Sequence, residues 1–221
     1  MSKEPSTLLL EHHLKALKLP TVLRDYQSVA AVCGQEREGY PQYLLRLTER
    51  ELLDRERRAM ERRLKEAYLP VVKTIESFDF AAQPSVNEPL VRELLSGDYI
   101  AKKENVLLVG NPGTGKTQLA TSLGYAACAQ GRRVRFFTTT GLVTQLLEQR
   151  ENRSLQRFLR QLERNELIIL DEMGYVPFAK AGAELLFDVV GRVYERTSLI
   201  LTTNLPFECG QRHESGGKVA I

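Results

Sequence analysis

The pattern of apolar and polar positions changes character near residue 75. Before that point, apolar residues recur at helical spacing and no strand-like run occurs, so the pattern predicts helices. The three predicted helices cover residues 8–19, 22–33 and 41–68. We expect Pro20 to end the first helix and Gly34 to end the second, because proline lacks a backbone donor and glycine favours a left-handed cap.

The rest of the chain alternates apolar runs with helical segments. Strands are predicted at 106–109, 133–138, 167–171 and 198–203, and helices at 116–130, 140–150, 153–165 and 180–196. The continuous apolar run at 167–170 is typical of a central strand with helices on both faces. This alternation predicts an α/β fold with right-handed crossovers and a doubly wound parallel sheet. We therefore expect a helical domain over 1–75, an α/β domain over 76–208 and an unstructured tail over 209–221.

Bulk composition narrows the class of protein only slightly. The chain has 221 residues and a net charge of +3, which neither requires nor excludes a nucleic-acid partner. It contains no apolar run long enough to span a membrane, and its N-terminus does not resemble a signal peptide. Cys33, Cys128 and Cys209 are widely spaced and odd in number, which argues against a disulfide framework or a zinc site. We expect a cytosolic protein without a membrane partner.

The most specific chemical pattern is an apolar strand that leads into a glycine-rich loop and then a helix. Residues 110–117 read G-N-P-G-T-G-K-T, which matches the G-x-x-x-x-G-K-T phosphate-binding loop of nucleoside triphosphatases. The glycines let the backbone turn tightly and bring its N–H groups close to phosphates. Lys116 is expected to reach the β- and γ-phosphates, and the Thr117 hydroxyl to ligate Mg²⁺. The candidate nucleotide contacts are Gly110, Asn111, Pro112, Gly113, Thr114, Gly115, Lys116 and Thr117.

Polar residues follow two of the predicted strands. Asp171 and Glu172 end the apolar run at 167–170, and ligands of parallel sheets bind at such carboxyl ends. We expect Asp171 to hold Mg²⁺, directly or through water, and Glu172 to orient and deprotonate the attacking water. Solvated acids at a strand end are the alternative, which the nearby phosphate loop disfavours. Asn204 is a candidate to hydrogen-bond the γ-phosphate or the lytic water; a turn preference before Pro206 is its alternative.

The helix predicted over 41–68 is rich in both arginine and acidic residues. Many opposite charges lie three or four positions apart, so a solvated helix with many ion pairs is one interpretation. The other is that its arginines contact DNA phosphates, because guanidinium groups bind planar oxyanions well. The candidate DNA contacts are Arg57, Arg58, Arg62 and Arg63. Charge alone leaves both interpretations open.

With these residues in place, the chain resembles the IstB-like ATP-binding proteins of bacterial insertion sequences, AAA+ helper ATPases of transposition that are related to DnaC-type helicase loaders. The resemblance spans about residues 5–208. Besides the helical N-terminus and the phosphate loop with its strand, it rests on Ser77-Phe78-Asp79-Phe80, Asp171-Glu172-Met173-Gly174-Tyr175 and Asn204-Leu205-Pro206-Phe207. It implies ATP and Mg²⁺ as cofactors, and ATP-driven self-assembly on double-stranded DNA. It also implies that the assembly recruits and activates a transposase encoded by the same element.

Two other functions stay open: a DnaC-type helicase loader, and a nucleotide-gated DNA-binding scaffold with little ATP turnover. The scaffold is favoured by the residues after Phe207. Members of the family continue there with a helical lid that carries an arginine finger and a second sensor arginine, whereas the tail here lacks helical periodicity. We therefore expect ATP binding with slow hydrolysis, with Arg192 and Arg196 as alternative finger candidates and Arg212 as the remaining downstream arginine.

Overall fold

The computed structural model describes residues 5–71, 73–173, 180–204 and 217–220. The chain divides into two compact units, Met1–Glu61 and Arg62–Ile221, and the division falls inside one long helix. The first unit has one cluster of buried apolar side chains and the second has two. The predicted stretches Gly174-Tyr175 and Leu205-Pro206-Phe207, and the tail positions 209–216 with Arg212, lie outside the described residues.

The first unit is helical. It contains α1 (Pro5–Ala16), α2 (Pro20–Gln35) and most of α3 (Tyr40–Ala67). Pro20 does not end α1 but occupies the first turn of α2. The fixed φ and the missing N–H of proline are well tolerated in the first turn of a helix. Gly34 lies inside the last turn of α2, so this glycine does not end the helix as expected.

A buried carboxylate holds the start of α2. The backbone N–H groups of Thr21 and Val22 donate to Glu51 Oε2 of α3 at 2.8 and 3.2 Å. Leu19, which precedes the helix, provides no side-chain cap. Glu51 therefore satisfies two donors that would otherwise lack a partner, and its charge suits the positive end of the helix dipole.

The second unit is an α/β domain. Its helices are α4 (Glu88–Leu94), α5 (Asp98–Ala101), α6 (Lys116–Ala129), α7 (Thr139–Glu151), α8 (Leu155–Leu162) and α9 (Lys180–Val193). Its strands are β1 (Asn105–Val109), β2 (Val134–Thr138), β3 (Leu167–Met173), β4 (Ser198–Thr203) and β5 (Gly217–Ala220). All pairings are parallel, in the order β2-β3-β4-β1-β5. The predicted parallel sheet is confirmed.

Helices cover the sheet on both faces. Along β3, Leu167 and Ile169 belong to the buried cluster that includes α6, whereas Ile168 and Leu170 belong to the cluster of α7, α8 and α9. Alternate side chains of a strand point to opposite faces, so a strand covered on both sides needs apolar residues at every position. This arrangement explains the continuous apolar run in the sequence.

Helices α4 and α5 and strand β5 were not predicted. Helices α4 and α5 lie before β1, and the side chain of Asn87 caps α4 by accepting from the N–H of Leu90 at 3.0 Å. Strand β5 falls where the sequence predicted an unstructured tail, and it pairs with the edge of β1 that β4 leaves free. An edge strand offers unpaired backbone donors and acceptors, which explains why a short segment without a strong pattern pairs there. Among the described residues, no helix combines the length and apolarity needed to cross a bilayer.

Candidate nucleotide-binding site

The phosphate loop connects β1 to α6, as the sequence predicted. Gly113 and Gly115 have φ values of +83° and +85°, which side chains of L-residues rarely allow. Gly115 is also constrained by space, because a Cβ atom there would lie 2.7 Å from Phe78 Cε2. The loop can therefore turn into the first turn of α6 only with glycine at this position.

A segment before the sheet supports the loop from one side. Phe78 is buried, and its ring packs edge-on against Phe80 with centroids 4.8 Å apart. Gln118 Nε2, in the first turn of α6, donates to the backbone carbonyl of Ser77 at 3.1 Å. The sequence pattern assigned no structural role to this segment, because nothing in it reveals a partner some 40 residues away.

Backbone groups of the phosphate loop hold the side chain of Lys116 in place. Its Nζ donates to the carbonyl oxygens of Gly110 and Asn111 at 2.7 and 2.8 Å. Burial lowers the pKa of the Lys116 ammonium from its usual value, and the charge of Asp171 partly offsets this effect. Two backbone carbonyls of the loop thus position the lysine, and phosphate oxygens would be stronger partners for it than these neutral groups.

Thr117 and Asp171 lie in direct contact at the carboxyl end of the sheet. Thr117 Oγ1 is 3.0 Å from Asp171 Oδ1 and 2.9 Å from Oδ2. Asp171 is buried at 5% exposure, and its backbone carbonyl accepts from the hydroxyl of Thr139 at 2.8 Å. The fold therefore brings together the hydroxyl and the carboxylate that the sequence proposed as ligands of one Mg²⁺ ion.

Thr202 of β4 joins this cluster, although the sequence did not single it out. Its buried hydroxyl donates to Asp171 Oδ1 and accepts the backbone N–H of Glu172 at 2.9 Å. The pairing of β3 with β4 creates these contacts, which span 30 residues of sequence. The only available signal was a hydroxyl near the end of a strand, which is too common to be informative.

Glu172 is the penultimate residue of β3 and Asn204 follows β4, so both lie at the carboxyl ends of these parallel strands. The β3–β4 register shifts between Leu170 and Met173, and Glu172 within this bulge has a φ of +61°. A left-handed backbone is costly for a residue with a side chain, and such residues concentrate at functional sites. Glu172 is exposed, and Asn204 is half-buried directly after β4. On its other side β4 pairs with β1, which leads into the phosphate loop.

A cavity of about 240 Å³ opens beside the loop. It is lined by the loop residues Gly110, Asn111, Thr114 and Lys116, together with Ser85 and the apolar side chains of Val86 and Leu119. The lining thus combines polar atoms of the loop with apolar side chains. This combination suits a ligand with a phosphate chain and a planar base.

The four candidate DNA-contacting arginines have different surroundings. In the first unit, Arg57 pairs with Asp54 and Glu61, both at 2.6 Å, and Arg58 pairs with Asp54 at 2.7 Å. The ion-paired interpretation therefore fits these two side chains. In the second unit, Arg62 has no hydrogen bond or ion pair of its side chain within the described residues, and Arg63 Nη1 reaches only the carbonyl of Cys128, at 3.5 Å.

The two finger candidates lie at the end of α9. Arg192 pairs with Asp188 at 3.1 Å and lies 3.9 Å from Glu163 Oε1. Arg196 is exposed beyond the last residue of the helix. Helix α9 packs with α7 and α8, and neither arginine lines the cavity beside the phosphate loop.

The residues of this site fit a Mg²⁺-bound nucleoside triphosphate. The loop has the two left-handed glycines that such a backbone cradle requires, and Lys116 lies inside it. Thr117 and Asp171 supply hydroxyl and carboxylate oxygens, the ligand types that Mg²⁺ prefers. A metal ion held by these two residues would neutralise negative charge on the phosphates.

A family model described as "IstB-like ATP binding protein" matches residues 12–214. The chain belongs to this family. The ATP-binding protein of insertion sequence IS21 of Pseudomonas aeruginosa is 39% identical over 198 residues, which cover 90% of this IstB-like chain and 75% of the relative. The corresponding protein of insertion sequence IS5376 of Geobacillus stearothermophilus is 38% identical, and the match covers 90% of this chain and 79% of the relative.

Solved structures share a fold with part of this IstB-like chain. AMPPCP-bound DnaA from Aquifex aeolicus has a TM-score of 0.53 and 22% identity, covering 62% of this chain and 44% of that one. Domain III of DnaA from Thermotoga maritima has a TM-score of 0.52 and 18% identity, covering 60% and 56%. The chain thus spans less than two thirds of either structure, and the likeness shows the P-loop fold of AAA+ type alone.

Proposed function

We propose that this IstB-like protein is an ATP-binding helper of DNA transposition, which assembles on double-stranded DNA in an ATP-dependent way and assists a transposase encoded by the same element. The observation that carries the proposal is the contact of Thr117 with Asp171 beside the lysine-containing loop, in a chain whose relatives are ATP-binding proteins of insertion sequences. The relatives' association with insertion sequences favours this function over helicase loading.

In this function the loop and Lys116 bind the phosphates, and Thr117 and Asp171 hold Mg²⁺. Glu172 accepts a proton from water, because its carboxylate is exposed at the sheet edge next to Asp171 and its backbone is fixed by Thr202. Asn204, at the end of the neighbouring strand, orients the same water or the terminal phosphate. Val86 and Leu119 offer an apolar surface to the nucleoside.

The helical unit provides surface for assembly and partner binding. Several large apolar side chains of α1 and α3 are exposed by more than half, including Leu8, Leu9, Leu44, Leu52 and Leu53. Exposed apolar groups in such number are typical of protein contacts. These exposed side chains support a role of α1 and α3 in self-association or in contact with the transposase.

The test is ATP-dependent assembly on DNA. Sedimentation would be measured for three samples that each contain a DNA duplex. The first is the wild-type protein with ATP, the second is the wild-type protein without nucleotide, and the third is the Lys116→Ala variant with ATP. The proposal requires large DNA-bound species only for the first sample. A pull-down with the transposase from the neighbouring reading frame then tests the partner. The proposal would be overturned if the protein assembled on DNA equally well without ATP and with the Lys116→Ala substitution. It would also be overturned if the ATP-bound assembly did not retain the transposase.

A further inference from the structure

A groove rich in arginine lies at the amino-terminal ends of β2 and β3, at the opposite edge of the sheet from the phosphate loop. We call it the arginine groove and define it by Arg62, Arg63, Arg133, Arg135 and Arg164, which all line it. Its volume is about 790 Å³. One side consists of the last turns of α3, and the other of α8 and the residues that follow it, with the edge strand β2 between them.

The positive charge of this groove is poorly compensated by the protein. Five arginines line it, against one acidic side chain, that of Glu66. Arg62, Arg133 and Arg164 are exposed, and within the described residues their side chains make no hydrogen bond or ion pair. Like charges gathered in one concavity repel one another, and elsewhere in this chain exposed arginines of α3 are neutralised by acids three or four positions away. This pattern favours a ligand with several negative charges.

Two of the arginines are held in place by neutral groups. Arg135 Nη1 donates to the backbone carbonyl of Glu66 at 2.9 Å, and its guanidinium lies 3.9 Å from the centre of the Tyr68 ring. Arg63 lies near the carbonyl of Cys128. Carbonyls and rings orient a guanidinium without cancelling its charge. The groove thus combines fixed and free arginines, all of which keep their charge available.

We propose that the arginine groove binds the sugar–phosphate backbone of double-stranded DNA. This assignment rests on the proposed function and names the surface of the protein that contacts the DNA. Guanidinium forks match phosphate oxygens in geometry, and the amide side chains of Gln161 and Asn165, which also line the groove, suit phosphate and sugar oxygens. An acidic protein segment would need more apolar lining, because the buried core of protein interfaces is largely apolar.

The location lets DNA and nucleotide bind at the same time. Strand β2 has five residues, and the Cα atoms at its two ends lie about 13 Å apart at the usual rise of a strand. The arginine groove lies at its beginning and the nucleotide site at the opposite sheet edge. Since contacts to phosphates carry no base information, binding through this groove is independent of sequence.

The test is a set of matched arginine substitutions. Arg133→Gln with Arg164→Gln removes two exposed groove charges, and Arg62→Gln with Arg63→Gln removes two on the other side. The control is Arg150→Gln with Arg153→Gln, two exposed arginines outside the groove whose side chains also lack partners within the described residues. Fluorescence anisotropy would follow two labelled duplexes of unrelated sequence, a single strand, and polyglutamate, over a range of salt concentrations.

We expect each groove pair to raise the Kd for both duplexes about tenfold and to reduce the salt slope by about two, one for each lost phosphate contact. The control should change neither quantity. The double variant Arg133→Lys with Arg164→Lys keeps both positive charges but loses the two-pronged guanidinium groups. Its affinity for duplex DNA should lie between those of the wild type and the glutamine pair. The same variant shows whether the site tolerates substitution. Unchanged Mg²⁺-ATP binding serves as the check for folding.

The possible failures are distinguishable. If the wild-type protein binds no DNA, the DNA-binding part of the proposed function is wrong. If wild type binds duplex but the control and groove pairs weaken it equally, only the groove assignment is wrong. If the groove variants lose affinity only for the single strand or only for polyglutamate, the groove does not bind duplex DNA. The assignment is then overturned, and the ligand is of the same chemical class as the affected probe.

Discussion

The backbone N–H of Glu172 donates to Thr202 Oγ1 at 2.9 Å, and the same hydroxyl donates to Asp171. One side chain of β4 therefore fixes both acidic residues at the end of β3. The contact also holds the left-handed backbone of Glu172, whose φ is +61°. Thr202 is thus a positioning residue for the proposed metal ligand, Asp171, and for the proposed base, Glu172.

Replacing Thr202 with valine should lower the turnover number for ATP more than it raises the KM. Valine has nearly the same shape but removes one donor and one acceptor, at a cost of about 1–3 kcal/mol, which corresponds to roughly 5- to 150-fold in rate. Thr202→Ser keeps the hydroxyl and should restore most of the turnover. The measurement is steady-state phosphate release with duplex DNA present, combined with thermal melting. A valine variant that melts earlier but keeps its turnover number would reduce Thr202 to a packing role.

Glu172→Gln and Asp171→Asn should have different effects. Glutamine keeps the shape of Glu172 but cannot accept a proton, so the variant should bind Mg²⁺-ATP normally and retain it unhydrolysed. Asp171→Asn would keep the contact with Thr117 but lose the charge that attracts the metal ion, so ATP binding should weaken when Mg²⁺ is present. Filter binding of labelled ATP followed by product analysis measures both. Equal hydrolysis by Glu172→Gln and wild type would remove the base role from this residue.

Glu51 should stabilise the start of α2 in a pH-dependent way. Burial by itself raises the pKa of this carboxyl, but hydrogen bonds from Arg55 and from the N–H groups of Val22 and Thr21 outweigh it and leave the pKa below its usual value. A depressed folded-state pKa means that the stabilisation is present above the usual value, about 4.3, and is lost as the pH falls through the folded value.

Glu51→Gln should therefore destabilise α2 by about 1–2 kcal/mol at neutral pH and lose this dependence at acidic pH. Hydrogen exchange of peptides that cover α2 provides the measurement. Glu56→Gln is the control, since Glu56 is exposed on the same helix as Glu51. If both variants exchanged at the same rate, the capping role of Glu51 would be excluded.

The parts of the site that are local in sequence could be predicted. The phosphate loop is one continuous stretch from β1 into α6, and its glycines, Lys116 and Thr117 each have a role fixed by their spacing. Asp171 followed from the rule that parallel strands present ligands at their carboxyl ends. The alternation of strands and helices also predicted the parallel sheet, because its crossovers leave few alternatives.

The remaining features depend on contacts that no local pattern reveals. Phe78 lies against Gly115, and Thr202 against Asp171, only because separate segments meet in the folded chain. The arginine groove likewise combines Arg62 with Arg133 and Arg164 from distant elements. The error at Pro20 had a different cause: proline is as compatible with the first turn of a helix as with the end of another, and the sequence does not distinguish the two.

Calorimetric titration of Mg²⁺-ATP into the wild-type protein and the Lys116→Ala variant tests the central claim most directly. On nucleotide binding we expect Lys116 to exchange its contacts with Gly110 and Asn111 for charge-assisted contacts with phosphate, and loss of the phosphate contacts should cost about 3 kcal/mol. The expected result is a single site in the wild type and an affinity about a hundredfold lower in the variant. Equal affinity of the two proteins for Mg²⁺-ATP would contradict the assignment of this loop as the nucleotide-binding site.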